Sequence, residues 1–210
     1  MICSNNSNEP VAGDEEWMLT WEPMIARIGS DLSEGELTWG ADVIERGAIR
    51  RYLEPLELDC ALHYDRDVAR SYGFSDVTAP YTSVLTFTIP AMWSPGQRLF
   101  TSHDRDAQPS SSPINGDYLR VAPEVTGFFA TDIDMDFIRP AVAGEHLARS
   151  GNVLLSCVPK WISVGRGAFM TLESKVVNEE GEVVAMIRTT VFAYEPVETP
   201  NSEPLVEGRR

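Results

Sequence analysis

Residues 79–93 read APYTSVLTFTIPAMW, an almost wholly apolar stretch with no polar face. Pro80 suits a first helical position, where its missing N–H costs nothing. A helix apolar all round has to be enclosed on nearly every side. The expectation is therefore one long buried helix, and what encloses it comes later in the chain. GFFATDIDMDFIRP (127–140) alternates Ile133, Met135 and Phe137 with Asp132, Asp134 and Asp136, the period of a half-exposed strand with its aspartates toward solvent. Three long stretches rich in Val, Thr and aromatics follow, at 144–158, 160–178 and 180–196, and NEEG (178–181) reads as the hairpin turn between the last two. Gly165 and Gly167 in the middle stretch predict a bulge or a close backbone approach. Upstream, GELTWG (35–40) begins like a short strand, and from about Glu45 a helix with Ile49, Tyr52, Leu53 and Leu56 on one face runs to Pro55. DRDVARSYGF (65–74) is a short helix with Asp65 as its N-cap and Gly73 at its end. One strand, a buried helix and a run of antiparallel strands make an α+β domain, a curved sheet wrapped around the helix.

At 210 residues the chain accommodates one domain of ordinary size. The reading places it over 33–196. Residues 1–32 form an extension carrying a peripheral helix at 15–29, with Pro23 in its first turn or at a kink, and 197–210 form a disordered tail. GQRLFTSHDRDAQPSSSPINGDYLRVAP (96–123) is a long surface excursion, either a roof over a binding pocket or a plain insertion. His103 with Asp104 and Asp106 there reads as solvated loop, and no metal site is expected. A net charge of -15 argues against nucleic acid and anionic membranes as partners. The basic residues are nonetheless grouped, Arg46 with Arg50 and Arg51, Arg66 with Arg70, and Lys160 with Arg166, which leaves a small polyanionic ligand open. Cys3, Cys60 and Cys157 are odd in number and lack CxxC spacing, so neither a disulfide framework nor structural zinc is expected. The chain has no apolar run of the roughly 18–20 residues that span a bilayer, and MICSNNSNEP lacks the regions of a signal peptide. A cytoplasmic location is the expectation.

The order of elements, the segment HYDRDVARSYGFSDVTAPYTSVLTF (63–87), the turn FIRPAVAGEHL (137–147) and the close NEEGEVVAMIRTTVFAY (178–194) together resemble the MaoC-like hot-dog dehydratases and hydratases, in particular the fatty-acid-synthase-type dehydratase branch. The resemblance covers about 33–196. It implies a hot-dog fold acting as a homodimer or as a heteromer with a second MaoC-like subunit, two sheets joined edge to edge, and an acyl-CoA or acyl-carrier-protein thioester bound between subunits. The implied reaction is hydration of a trans-2-enoyl thioester or the reverse dehydration, with no cofactor. Such chemistry takes a base that activates water toward the β-carbon, an acid for the α-carbon, and donors at the carbonyl where enolate charge develops. The backbone N–H groups around Ala79, Tyr81 and Thr82 are the candidate donors, Pro80 having none.

Members of this family carry their acid/base pair as D-x-N-P-x-H in the loop before the helix, which here is LELDCALHYD (56–65). Registered on His63, the aspartate position falls on Leu58. Registered on Asp59, the histidine position falls on Tyr64, a poor base at neutral pH. Three arrangements are compatible with that spacing. The loop bulges and Asp59 and His63 act together as the catalytic pair, with Tyr64 in the substrate pocket; or this chain is the degenerate half of a heteromer whose partner holds an intact motif; or His63 and Tyr64 only pack and cap. A hot-dog thioesterase is a further reading, disfavoured because 79–93 offers no carboxylate.

Overall fold

A computed structural model describes residues 16–105, 107, 109 and 121–196. The expected mobile start, the disordered tail, Cys3, Asp106 and most of the second half of the long excursion lie outside the described residues. The elements are α1 (Glu16–Leu19), α2 (Glu22–Ile25), β1 (Leu37–Trp39), α3 (Arg46–Leu53), α4 (Arg66–Ser71), α5 (Val84–Phe87), β2 (Gly127–Phe137), β3 (Ala148–Ile162), β4 (Gly165–Val177) and β5 (Val183–Pro196). The strands form one antiparallel sheet in the order β1-β3-β4-β5-β2. Consecutive hairpins therefore make its centre, with β1 on one edge and β2 on the other. This is the α+β hot-dog architecture. Among the described residues no helix is long and apolar enough to cross a membrane.

Strand register sorts the residues onto two faces. Ala168, Met170, Leu172, Ser174 and Val176 of β4 oppose Ala193, Val191, Thr189, Ile187 and Ala185 of β5, and this alternating set is the core face. Its near half carries Ile49 and Leu53 of α3 with Val77, Ala79, Val84, Ala141 and Leu147, each under 4% exposed. Its far half carries Trp21 and Met24, at 2% and 0%. The N-terminal segment is thus not peripheral: it breaks at Thr20–Trp21, restarts with Pro23 in the first turn of α2, and inserts two large side chains into the core.

The expected long central helix is one 3-10 turn, Tyr81–Ser83, followed by the single α turn of α5. β-branched Thr86, Thr88 and Ile89 are weak helix formers, and Pro90 disfavours helix at Ile89 before it. The Ser83 hydroxyl donates to Pro80 O at 2.6 Å and the Thr88 hydroxyl to Leu85 O at 2.8 Å, bonds that compete with continued helix. Only Ser83, Val84 and Thr88 of the turn are buried; Tyr81, Ile89, Met92 and Trp93 are 39–49% exposed.

The boundary between the stretches at 144–158 and 160–178 also moves. The hairpin falls at Ser163–Val164, and Pro159, which falls between the stretches 144–158 and 160–178, lies inside β3 opposite Ala168. Beyond its short pairing with β1 this end of β3 is an edge, where a missing N–H is tolerated. Gly165 and Gly167 do answer a close approach: a Cβ at Gly165 would run into the Glu195 carbonyl oxygen, and one at Gly167 into that of Ala193. The NEEG turn is as read, with the Asn178 side chain accepting from Glu180 N at 3.1 Å and Glu182 N at 2.9 Å, and Gly181 at φ 79°.

Candidate functional site

His63 closes a 3-10 turn, Ala61–His63, that leads into α4. Asp65 holds the start of α4 by accepting from Asp67 N at 2.8 Å and Val68 N at 3.2 Å, so the entry angle of the loop is fixed immediately after the histidine. The ring is half-buried. Its Nδ1 lies 2.7 Å from Thr78 O and 3.1 Å from the Thr78 hydroxyl, and a carbonyl can only accept. Nδ1 therefore carries the proton and donates, which leaves Nε2 as the basic nitrogen. Thr78 N in turn donates to Leu62 O at 3.0 Å, so the turn and the 77–79 segment grip each other through backbone as well as ring.

No hydrogen bond joins Asp59 to His63 among the described residues, and Asp59 is exposed. Tyr64, 44% exposed, donates its hydroxyl to Leu58 O at 3.2 Å and so spans the loop. Of the candidate carbonyl donors, the Ala79 N–H is already committed to Ala141 O at 2.8 Å. That correction leaves Tyr81 and Thr82, whose N–H groups open the 3-10 turn. Tyr81 is 43% exposed, and its ring stands 4.9 Å from that of Phe137 on the β2 edge.

The residue that organises this region was missed from sequence. Asp76 is 9% exposed and ion-paired to Arg46 of α3 at 2.5 Å and to Arg66 of α4 at 3.1 Å, while its other oxygen accepts from Val77 N at 2.7 Å. It ties both helices to the segment that bears Thr78. The Arg46 hydrogen bond, helped by the Val77 N–H and the charge of Arg66, holds its carboxyl below the usual carboxylate range against the opposing effect of burial. A lone acid in the apolar run GFSDVTAP was the available signal. Part of the noted arginine grouping is thereby accounted for, since two of its members meet on one carboxylate. A folded-state pKa below the unfolded one stabilises above the unfolded value and is lost as pH falls through the folded value. Asp76→Asn should accordingly lower the thermal midpoint at pH 7 and flatten its fall below about pH 4, measured by circular dichroism; a fall as steep as in the unaltered chain would assign acid lability to other carboxylates.

A second network stands behind the first. Glu145 accepts from Arg139 at 2.7 and 3.2 Å, from Val142 N at 2.7 Å and from Asn178 at 3.2 Å, and Arg139 also reaches Glu182 at 3.1 Å. Residues 141–143 then pair with 77–79 through Ala79 N to Ala141 O and Ala143 N to Val77 O at 3.0 Å. Cys157 is buried, which pushes its thiol up to about 11, and Cys60 is half-buried. A shallow cleft lined by Asp31, Ser150, Glu173, Lys175 and Met186 includes none of the site residues.

Among known proteins, the chain is 25% identical over 169 residues to a probable enoyl-CoA hydratase alpha subunit of Thermomonospora curvata, covering 80% of this chain and 50% of that one. It thus spans about half the length of that curated relative. One chain of the crystal structure of the ChsH1-ChsH2 complex from Mycobacterium tuberculosis superposes with a TM-score of 0.59 at 20% identity, over 92% of this chain and 99% of that one. A MaoC-like dehydratase from Rhodospirillum rubrum gives 0.49 at 19% identity, over 78% and 93%. The family model described as FAS1-like, dehydratase domain region, matches residues 35–187. The chain belongs to that family, within the MaoC-like hot-dog dehydratases.

Proposed function

We propose that the chain is one subunit of a MaoC-like enoyl-thioester hydratase, or 3-hydroxyacyl-thioester dehydratase in the reverse direction, acting on an acyl-CoA or acyl-carrier-protein thioester together with a second hot-dog subunit. The observation that carries this is the His63 ring, held by Nδ1–H donation to Thr78 O at 2.7 Å with Nε2 left as a base. In this reading Nε2 takes the proton of the attacking water, and the N–H groups of Tyr81 and Thr82 receive the thioester carbonyl as enolate charge develops. Asp59 is exposed and has no hydrogen bond to His63 among the described residues, which supports a partner that completes the site. The edge of the sheet supports a partner as well: Tyr81, Ile133, Phe137 and Ile138 are 39–60% exposed around the unpaired side of β2. The ChsH1-ChsH2 complex, one chain of which superposes on this one, is itself built of two different subunits, in keeping with such an assembly.

A thioesterase would need a carboxylate aimed at the carbonyl carbon. The carboxylate nearest in sequence to the carbonyl donors, Asp76, is spent on Arg46, Arg66 and Val77 N, which disfavours that reading. The test is hydration of crotonyl-CoA and longer enoyl-CoA substrates by the purified chain alone and with a hot-dog subunit bearing D-x-N-P-x-H. Little or no turnover alone and a large gain on mixing is expected. Full activity of the chain by itself would sink the two-subunit reading.

A further inference from the structure

The open edge of the sheet is β2, hydrogen-bonded to β5 on one side and, among the described residues, to no strand on the other. An unpaired strand of eleven residues, flanked by exposed Phe128, Ile133 and Phe137, is a template for another strand. What it can accept is decided by its outward face. Register with β5 puts Ile133, Met135 and Phe137 on the core side and Asp132, Asp134 and Asp136 on the outer side. One guanidinium, Arg188, serves Asp134 at 3.2 Å, Asp136 at 3.1 Å and Glu173 at 2.8 Å, so the row stays strongly negative. Asp134 and Asp136 remain 72% and 57% exposed.

A second copy of this chain meets that row head on. In a two-fold antiparallel pair, residues directly opposite share a face. Centred at Asp134, the pairing sets Asp132 against Asp136 and Asp134 against itself. Centred at Ile133 it sets Asp132 against Asp134, and at Met135, Asp134 against Asp136. Centred at Asp132 or Asp136, that residue meets its own copy. Registers further toward the start of the strand run into the bulge between Ala130 and Asp132, before which the faces exchange: they would set outward Asp132 opposite inward Ala130 or Phe128. Each of these registers thus places like charges roughly 5 Å apart or mismatches the two faces.

Resting on the edge-to-edge assembly proposed above, we infer that β2 excludes a second copy of this chain and selects a hot-dog partner whose facing strand carries lysine or arginine at alternate outward positions. The aspartate row is then the element that makes the assembly a heteromer, and the apolar core side supplies contact that either partner could use.

Two variants of the full chain test this by sedimentation equilibrium. D132N/D134N/D136N removes the repulsion and is expected to self-associate about tenfold more tightly than the unaltered chain at low salt. D132K/D134K/D136K serves as the probe for a basic partner strand; mixed with the unaltered chain it should form a one-to-one pair that neither forms alone. Rising salt should weaken that mixed pair and strengthen self-association of the unaltered chain, opposite signs that a general folding defect would not produce. Unaltered thermal midpoints and circular dichroism spectra accompany both. Adding I133Q/F137Q to the lysine variant should abolish the mixed pair. The inference is overturned if the unaltered chain self-associates as tightly as the asparagine variant, or shows no preference for the lysine variant, while I133Q/F137Q still abolishes association. A pair indifferent to I133Q/F137Q would overturn the edge-to-edge assembly and the inference with it.

Discussion

His63→Ala, assayed in whichever assembly is active, is expected to lower kcat by at least about a hundredfold while KM changes little, because a positioned general base contributes about a hundred- to ten-thousandfold. The fold should survive. The imidazole is half-buried and its bonds go to Thr78, whose backbone N–H remains bonded to Leu62 O whether or not the ring is present. Thr78→Val is the informative companion: it keeps the carbonyl that accepts from Nδ1 and removes only the hydroxyl 3.1 Å away, so a loss of no more than about tenfold is expected. If His63→Ala leaves the rate unchanged while a hot-dog partner is present, the chemistry belongs wholly to that partner, and this chain only shapes the acyl pocket. A large KM effect with intact kcat would instead make His63 a substrate contact.

The long strands and their order were legible because alternation and β-branched content persist over many residues, long enough for one proline or glycine not to mask them. The hairpin at Ser163–Val164 was misplaced for the converse reason. Pro159 reads locally as a strand break, and only tertiary context, a position beyond the pairing with β1 where no described strand flanks β3 on that side, lets it sit inside β3. Residues 79–93 are almost wholly apolar, the pattern of a long enclosed helix. In the single chain the stretch is a short turn with one face uncovered, and hydroxyl bonds from Ser83 and Thr88, invisible to a hydrophobic pattern, help end it. Burial of Trp21 and Met24 was equally out of reach, since an amphipathic stripe shows that a face is covered and not by what. At the site, His63 stood out as one of three histidines, and its loop position followed from the resemblance. Asp76 and Glu145 did not, because an ion pair between residues 30 apart, such as Arg46 with Asp76, has no spacing rule.

The turn FIRPAVAGEHL bears on catalysis at a distance. Glu145→Ala is expected to cost about 3 kcal/mol in urea unfolding, because it strips Arg139 of its best partner, leaves Val142 N without its acceptor and leaves the Asn178 amide with Glu182 alone. Arg139 and Glu145 are mostly shielded, with side chains 27% and 19% exposed, so water replaces the lost carboxylate poorly. Glu145→Gln keeps an acceptor for Val142 N and should cost about half as much. Burial alone would raise the Glu145 pKa, but Arg139, the Val142 N–H and Asn178 together lower it. Its contribution is therefore present above the unfolded value near 4.5 and is lost as pH falls through the lowered folded value. The alanine variant should lose stability at pH 7 and converge on the unaltered chain in acid. Catalysis should suffer beyond the stability loss. Val142 sits in the segment that pairs with 77–79, and Thr78 there holds the His63 ring, so loosening the turn loosens the base. A severalfold fall in kcat is expected at temperatures where the variant is fully folded, with the larger part of it recovered in Glu145→Gln. Arg139→Met combined with Glu145→Leu removes both charges, and should be more stable than Glu145→Ala without regaining its rate. A Glu145→Ala enzyme that is folded, as stable as the unaltered chain and fully active would show that His63 is held by Thr78 and Leu62 without support from behind.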